Sequence, residues 1–460
     1  MLRRSLLISA SLVVAACAGT PNLAIVPGIE APADFQAEPQ VELPAAGDWV
    51  ASFEDATLSA LVAQALSANP TIEAASASLD AARASARAAG SNRLPSIDAS
   101  ASASSSDTSS RPSEQYSFGL DVAWQVDVWG RLSDQARAGY LTAEAARADL
   151  YGARLSIAGA TAKAWFSLIE AKEQAELARR DVDTRSRQLE IVERRFARGV
   201  ARSSDVRTAR SALASSQASL AAQIRIEAAS GRALEVLLGR YPGNQIVPDS
   251  TLPILPVLPQ PGSPQQLLER RPDVIAAETR LASAGYSASA ARKALYPGLS
   301  LGAGISSQSS DASDLFDPDF LVETISASLL APIFQGGALR AERTRTEAVA
   351  RQLSARYVET ALTALREAEN AIYADRTLEE RVEALIVAQR EAAAALDLVE
   401  RQYASGVATI FELIDAQSRL ITAESQLIRA RLERATNRVD LHLAVAGDFA
   451  AGGGYADTNN

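Results

Sequence analysis

Few side chains in this sequence could carry out chemistry. The chain has one Cys, one His and one Met. The single Cys17 cannot form an internal disulfide, and the single His442 cannot hold a zinc or copper ion alone. His442 also lacks the partners of a recognisable catalytic triad, and the sequence contains no phosphate-binding loop and no Gly-x-Ser-x-Gly elbow. The sequence therefore predicts no enzyme, no metal site and no organic cofactor.

An acidic pair near the C-terminus has the most suggestive spacing. Glu412 and Asp415 are three residues apart and so lie on one face of a helix. Asp415 also precedes Arg419 by four residues, and oppositely charged pairs at that spacing are common in this chain. A salt bridge to Arg419, or an exposed helix charge, is therefore the alternative to a functional role for Asp415.

The N-terminal residues predict export. Arg3 and Arg4 precede the apolar run Leu6 to Val14, and small residues come directly before Cys17. This order is typical of a secretory signal, and the apolar run is shorter than the roughly 20 residues that a membrane-spanning helix needs. A cleaved signal followed by a chance Cys, or by a reactive free thiol, is one interpretation of Cys17.

A second interpretation of Cys17 is lipid attachment. The sequence Val14-Ala15-Ala16-Cys17 resembles the bacterial lipobox. The resemblance implies that residues 1–16 are removed and that Cys17 then carries a covalent lipid. Residue Ala18 is not Asp, which by the same resemblance favours the outer over the inner membrane. We therefore expect a lipoprotein of the outer membrane.

Composition narrows the possible partners. The net charge is −10, and the Arg residues that supply most of the positive charge are interspersed with Glu and Asp. Nucleic-acid binding requires clustered Lys and Arg, so this pattern argues against it and indicates salt-bridged helix surfaces. Ala, Ser, Leu, Arg and Glu dominate long stretches, which is typical of long helices and coiled coils.

The chain contains an internal duplication. Asn69-Pro70 and Leu94-Pro95 match Arg271-Pro272 and Tyr296-Pro297 at one constant spacing, and later segments match at nearly the same spacing. In this alignment Asp205 corresponds to Glu412, whereas Thr208 corresponds to Asp415. We predict the following organisation: signal peptide 1–16, extended segment 17–57, first repeat 58–240, Pro-rich linker 241–264, second repeat 265–447 and flexible tail 448–460.

Each repeat contains two predicted strands. Tyr116 to Val128 alternates apolar and polar residues, which is the period of a strand with one apolar face. Its partner Ile97 to Ser106 is weaker, and the second repeat offers Leu299 to Ser306 and Phe320 to Leu330. We predict polar hairpin loops over Asp107 to Gln115 and Gln308 to Asp319. A half-buried soluble sheet would explain the alternation too, but the export signal and strand lengths of about ten residues suit a membrane barrel.

Two very long helices follow the strands. Leu132 to Phe196 and Leu339 to Tyr403 contain no Pro and little Gly, and shorter helices, Ser204 to Leu238 and Ile410 to Ala446, return from them. Leu413, Leu420 and Leu427 repeat every seven residues, which predicts coiled-coil packing. Four strands cannot close a barrel with a lumen, so a membrane barrel requires several chains.

Together these features resemble the TolC-like outer-membrane efflux channels, in particular the lipoproteins that serve resistance–nodulation–division pumps. The residues that carry the resemblance are Leu268 to Val274, Tyr296-Pro297, Pro332 to Gly337 and Tyr403 to Leu420, and it covers nearly all of the chain after Cys17. It implies an α+β membrane protein whose homotrimer shares one 12-stranded β-barrel, continued by a long α-helical barrel in the periplasm. It also implies a periplasmic adaptor and an inner-membrane pump as partners, and export of small toxic compounds or drugs as the function.

The resemblance further assigns roles to the helix–turn–helix tips. It implies adaptor contacts at Arg198-Gly199-Val200 and Ser405-Gly406-Val407, although a purely structural turn is the simpler interpretation of the Gly residues. It implies that Glu412, Asp415 and Asp205 line a periplasmic gate, where three-fold symmetry would turn each into a ring of carboxylates. Such a ring attracts cations and disfavours a tightly closed state.

Three further interpretations stay open at this point. One is a channel for protein secretion by an ABC-type exporter, and another is a coiled-coil lipoprotein without a pore. The third concerns Trp124 and Trp129, which either mark the membrane interface or pack against the helices.

Overall fold

The computed structural model describes residues 32, 34–37, 49–108, 111–249, 251–253, 255 and 263–445, and in these residues one order of elements occurs twice. The first copy comprises α1 (Ala56–Ala68), α2 (Pro70–Ser91), β1 (Ser96–Thr108), β2 (Arg111–Val126), α3 (Arg131–Ala197) and α4 (Ser203–Leu237). The second copy comprises α5 (Pro264–Arg270), α6 (Pro272–Lys293), β3 (Gly298–Ser309), β4 (Leu321–Leu330), α7 (Ala338–Ser405) and α8 (Ile410–Ala444). The predicted signal peptide, Cys17 and the C-terminal tail lie outside the described residues.

Local sequence explains where several helices begin. Asp55 caps α1, because its Oδ1 accepts the backbone N–H groups of Thr57 and Leu58, each at 2.9 Å. Helices α2 and α6 both start with Pro, which suits a first turn because that turn leaves its N–H groups without helical partners. The long helices α3 and α7 contain 67 and 68 residues, and their observed ends lie within two residues of those predicted.

The four strands form one antiparallel sheet in the order β1-β2-β3-β4. The register brings apolar residues together on one face and polar or small residues together on the other, because side chains alternate along each strand. The apolar face includes Ile97, Ala99, Phe118, Leu120, Val122, Trp124, Leu301, Ala303, Ile305, Ile325 and Leu329, with Ser307 and Glu323 as polar exceptions toward the hairpin loops. The polar face includes Asp98, Ser100, Ser102, Ser117, Asp121, Gln125, Ser300, Thr324, Ser326 and Ser328, with Val322 and Leu330 as apolar exceptions near the two ends of β4.

The first hairpin loop is shorter than predicted. The sequence predicts a loop over Asp107 to Gln115, whereas the strands leave only residues 109 and 110 between them. Residues 111–115 of β2 pair with β1 alone, because the pairing of β2 with β3 begins at Tyr116. Pro112 is tolerated at such a position, since no ladder hydrogen bond toward β3 is required there. The second loop is longer and contains two 3-10 turns, Ala312–Phe316 and Pro318–Phe320.

The chain has two compact units, and each unit draws on both repeats. The sheet unit includes the described residues of 76–149 and 273–361, with all four strands. The helical unit includes the described residues of 30–75, 150–272 and 362–460. Among the described residues, no helix is both long and apolar enough to cross a membrane.

The helical unit has its own hydrophobic core. Trp165 and Phe166 of α3 are fully buried there with Leu58 of α1. The indole Nε1 of Trp165 donates to Asp55 Oδ2 at 2.7 Å, so the residue that caps α1 also holds this core Trp. Arg438 of α8 and Asp375 of α7 form a buried ion pair at 3.1 Å that joins the two helices of the second hairpin.

Candidate functional sites at the hairpin tips

The two hairpin tips have the same backbone design. In the first tip, Gly199 has φ +74° and the N–H of Val200 donates to Arg195 O at 2.9 Å. In the second tip, Gly406 has φ +80° and the N–H of Val407 donates to the carbonyl of Gln402 at 2.9 Å. A residue in the left-handed region closes the last helical turn in this way, and Gly adopts that region without steric penalty.

The tips are also open to solvent in the single chain. Val200 is 75% and Val407 77% exposed. A Cβ added to Gly199 or Gly406 would meet no atom within 4 Å. The predicted contact residues therefore lie together at each turn, on a surface with room for another protein.

A small hydrophobic cluster joins the two hairpins just behind the tips. Its buried members come from three of the four hairpin helices, α3, α4 and α8: Val192, Val206, Ala209, Ile410 and Leu413. Tyr403, Leu396 and Val399 of α7 pack against these residues. The cluster holds the first and second tips side by side within the helical unit.

Arg195 adds polar links to this cluster. Its guanidinium lies 4.6 Å from the centre of the Tyr403 ring and donates to Tyr403 O at 3.2 Å and to Ala404 O at 3.1 Å. It thereby adds donors to two carbonyl groups in the last turn of α7, where the Tyr403 carbonyl also accepts the N–H of Gly406 at 3.2 Å. The second repeat has Gln402 at the position that corresponds to Arg195, so the internal duplication gives no signal for this role.

Two of the predicted gate carboxylates cap helices. Glu412 accepts the N–H and the hydroxyl of Thr409, at 2.6 and 2.9 Å, and the Thr409 hydroxyl accepts the N–H of Glu412. The backbone hydrogen bond from Thr409, followed by its hydroxyl, lowers the pKa of Glu412. Asp205 holds the equivalent place in the first tip, where its carboxylate accepts the N–H of Arg202 at 2.9 Å.

Asp415 is placed differently from these two residues. It lies one turn further along α8, and its side chain is 62% exposed. Its Oδ2 accepts from Arg419 Nε at 2.7 Å, so the salt bridge that the spacing of the two residues predicts is present. An ion pair this exposed contributes little to stability, which leaves room for another role of the carboxylate.

Trp129 and Trp124 have different surroundings: Trp129 packs against neighbouring residues, and Trp124 lies on the apolar face of the sheet. The indole of Trp129 donates to Pro297 O at 2.7 Å, and its ring lies 5.3 Å from the Tyr296 ring, so Trp129 packs within the sheet unit. Trp124 lies on the apolar face of the sheet, is 38% exposed and donates to Arg93 O at 2.9 Å. Its place suits a membrane interface.

His442 lies in the core of the helical unit. Its ring stacks on Trp49 at 5.7 Å and meets the edge of Phe53 at 6.2 Å. Burial, together with the nearby charge of Arg438, lowers the pKa of His442 to about 4. Within the described residues, no group of three or more His, Cys, Asp or Glu is arranged to hold a metal ion.

Comparisons with known proteins identify the family. The model of the outer membrane efflux protein family matches residues 61–240 and 263–447. The chain is 30% identical over 464 residues to the pyoverdine export outer membrane protein OpmQ of Pseudomonas aeruginosa, covering 96% of each chain. It is 31% identical over 420 residues to the outer membrane protein OprJ of the same species, covering 88% of this chain and 87% of OprJ. The solved outer-membrane channel OprN superposes with a TM-score of 0.86 at 27% identity, covering 94% of this chain and 99% of OprN.

The chain therefore belongs to the outer membrane efflux protein family. It is an efflux channel protein of the outer membrane that extends into the periplasm, as the sequence predicts. The predicted fold class is confirmed, since one chain supplies four antiparallel strands to a shared β-barrel and its long helices to a helical barrel. The relatives give no support to the protein-secretion or pore-free alternatives.

Proposed function

We propose that three copies of this chain form the outer-membrane channel of a tripartite pump that exports small toxic compounds. The relatives carry the proposal: they include the pyoverdine export protein OpmQ and, at 29% identity over 414 residues, the toluene efflux pump protein TtgI of Pseudomonas putida. In this proposal a periplasmic adaptor binds the hairpin tips, and an inner-membrane pump of the resistance–nodulation–division type delivers the cargo.

Dye accumulation tests the transport function. Cells that lack the gene should accumulate a panel of chemically unrelated fluorescent dyes more than the parent, and a plasmid copy should reverse the change. Unchanged accumulation of every dye, in cells that lack related channels as well, would contradict export of small compounds. The same strains provide the background for testing each site.

The equivalent, exposed tips support the proposed adaptor contact. Asn tolerates the left-handed backbone of Gly199 and Gly406, so Gly→Asn adds a side chain there without removing the turn. We expect Gly199→Asn with Gly406→Asn to leave the amount of trimer unchanged but to raise dye accumulation toward the deletion level. Gly336→Asn is a matched control, because Gly336 also has a positive φ and open space but lies in the sheet unit.

If the double tip variant exports dyes as efficiently as the Gly336→Asn control does, close approach of the adaptor at Gly199 and Gly406 is excluded. Pull-down of the adaptor by the purified trimers gives the second readout. Reduced capture by the tip variant alone would attribute the loss of transport to the missing contact.

The gate role of Glu412, Asp415 and Asp205 is part of the same proposal. Their placement supports it, since Asp205 and Glu412 lie in the first turns of α4 and α8, just behind the tips, and Asp415 lies one turn further along α8. Because Glu412 and Asp205 also cap helices, Asp415 is the carboxylate whose removal disturbs the local fold least.

We also propose that Cys17 carries the lipid that the lipobox resemblance implies. The mass of the mature chain tests this directly, because cleavage before Cys17 and acylation shift it by a defined amount. Cys17→Ser should abolish incorporation of labelled palmitate. A wild-type mass equal to that of the unmodified chain would contradict lipidation and leave the channel proposal intact.

A further inference from the structure

All four junctions between strands and helices lie at one end of the sheet. The first residue of β1, Ser96, pairs with Ala123 near the end of β2. At the same end, Gly298, the first residue of β3, pairs with Leu330, the last residue of β4. The two hairpin loops are therefore at the opposite end. In an outer-membrane channel whose helices extend into the periplasm, the junction end meets the periplasmic leaflet.

The two ends of the sheet carry opposite charge. At the loop end, among the residues whose side chains the structure describes, the charged residues are all acidic: Glu114, Asp311, Asp314, Asp317, Asp319 and Glu323. At the junction end the basic residues are Arg83, Arg87, Arg93, Arg131, Arg137, Arg292, Lys293, Arg340, Arg343, Arg345 and Arg351. The acidic residues there are fewer: Asp80, Asp98, Asp127, Asp134, Glu144, Glu342 and Glu347. The fold thus gathers basic residues that are dispersed along the sequence.

One group at the junction end has more guanidinium groups than carboxylates. Glu347 of α7 pairs with Arg343 at 2.9 Å and with Arg292 of α6 at 3.5 Å. The hydrogen bond from Arg343, then the charges of Arg343, Arg292 and Arg351, lower the pKa of Glu347 against the opposing effect of burial. A single carboxylate therefore serves three guanidinium groups.

Arg340 extends this group along α7. Residues 340, 343, 347 and 351 share one helix face, because they are separated by three or four residues. The structure shows no carboxylate in ion-pair distance of Arg340 or Arg351 among the described residues. We call Arg292, Arg340, Arg343 and Arg351 the arginine cluster.

Apolar and aromatic residues lie at the strand–helix junctions, which precede the α7 part of the arginine cluster along the chain. Ile333 and Phe334, between β4 and α7, are 92% and 86% exposed. Trp129 and Tyr296 meet at the neighbouring junctions. Apolar groups beside Arg heads are the arrangement expected at the boundary between acyl chains and phosphates.

From this arrangement we infer that the arginine cluster binds the phosphate of an acidic phospholipid headgroup in the periplasmic leaflet, with Ile333 and Phe334 against its acyl chains. Guanidinium groups match phosphate oxygens with two parallel hydrogen bonds, and the excess positive charge selects a headgroup with net negative charge. This inference concerns the membrane surface of the channel and goes beyond the proposed transport function.

Binding of a short-chain lipid by the full-length trimer tests the inference. The delipidated trimer in a non-ionic detergent is titrated calorimetrically with dihexanoyl phosphatidylglycerol, dihexanoyl phosphatidylcholine and inorganic phosphate. We expect phosphatidylglycerol to bind at least about tenfold more tightly than phosphatidylcholine. Arg340→Gln, Arg343→Gln and Arg351→Gln together should abolish this preference.

Two further variants sharpen the test. Arg366→Gln, Arg390→Gln and Arg401→Gln remove the same charge from the same helix within the helical unit, and they should keep the preference. Glu347→Gln removes the competing carboxylate and should strengthen phosphatidylglycerol binding about fivefold. Glu347→Gln keeps the inference testable even if the triple Arg variant does not assemble.

Three results would overturn the inference. They are equal affinity for the two lipids, equal loss of preference in both triple variants, and weaker phosphatidylglycerol binding by Glu347→Gln. Inorganic phosphate that binds as tightly as phosphatidylglycerol would show a site for free anions instead of lipid. None of these outcomes depends on transport, so they are separate from a failure of the proposed function.

Discussion

The three acidic residues that follow the hairpin tips, Asp205, Glu412 and Asp415, have different local roles. Glu412 and Asp205 each accept the N–H of the residue that precedes a helix, so their negative charge is already used by the backbone. Asp415 interacts only with the flexible side chain of Arg419 among the contacts that the described residues show. A change of Asp415 therefore tests charge with little change of structure.

Asp415 and Arg419 together separate a gate role from a salt bridge. If Asp415 contributes to a ring of carboxylates, Asp415→Asn should lower the cation selectivity of the reconstituted channel. Arg419→Gln should raise it, because it removes a neighbouring positive charge. Reversal potentials in a salt gradient measure both effects. Equal changes in the two variants would indicate that the ion pair itself matters, and no change in either would exclude the gate role of Asp415.

His442 makes the helical unit sensitive to acid. Since burial and Arg438 lower the pKa of His442 to about 4, an unfolded chain with an ordinary His binds a proton at a higher pH than the folded chain does. The resulting stabilisation is complete above about pH 6.5 and is lost as the pH falls toward 4, by about 3 kcal/mol in total.

A neutral substitution tests this dependence on pH. His442→Asn should lower the thermal midpoint at pH 7.5, because it removes the stacking on Trp49. The difference between wild type and variant should then shrink as the pH is lowered from 6.5 to 4.5. Other groups titrate equally in both proteins and cancel in the difference. A difference that stays constant with pH would show that the His442 pKa is not lowered.

At the scale of elements, the ends of helices distinguish two kinds of Gly. Gly199 and Gly239 follow the helices α3 and α4, with φ of +74° and +68°. A Cβ at Gly199 would meet open space, whereas a Cβ at Gly239 would lie 2.5 Å from the backbone oxygen of Ala68. Only Gly239 combines the positive φ with a close approach of the α1 end.

The pair Gly239→Ala and Gly199→Ala separates backbone strain from crowding. Both changes place an L side chain in the left-handed region, at a cost of about 1–2 kcal/mol. Gly239→Ala should be the more destabilising by a further 1–3 kcal/mol or so, since the backbone of Ala68 must move. Thermal midpoints of the two trimers in detergent measure the difference. Equal thermal midpoints would mean that the C-terminal end of α1 moves away from the added Cβ without a loss of stability.

The helices and strands could largely be predicted from the sequence because their signals are local. The seven-residue repeat that begins at Leu413 indicates α8, and alternation from Tyr116 onward indicates β2. The extension of β2 back to Arg111 escapes prediction, because its residues are polar and only the pairing with β1 makes them a strand.

The contacts that hold the sites together depend on the fold and could not be predicted. Arg195 meets Tyr403 from 208 positions away, and nothing near Arg195 in the sequence indicates that partner. The arginine cluster likewise forms only when α6 and α7 bring Arg292 to Glu347. The predicted tip residues, in contrast, lie where expected because a Gly between two helices is itself the signal of a turn.

On the scale of the whole molecule, the two faces of the sheet determine how a chain fits the membrane. Val122 lies on the apolar face, opposite Ile97 and Ala303. The next residue, Ala123, lies on the polar face opposite Ser96 and Gly302. In a membrane strand one face meets lipid and the other meets the lumen. We therefore expect Val122 to face lipid and Ala123 to face the lumen.

The same substitution at both positions tests which face meets lipid. Val122→Arg should reduce the assembled channel in the outer membrane, because an Arg on the lipid-facing side of a membrane strand is destabilising, by up to about 2–4 kcal/mol at the middle of the bilayer. Ala123→Arg should assemble normally and alter ion conductance instead, since its charge lies on the polar face. Heat-resistant trimer in outer-membrane fractions measures assembly, and single-channel currents measure the second effect. If Val122→Arg assembles normally and Ala123→Arg does not assemble, the expected orientation is wrong and the polar face of the sheet lies against lipid.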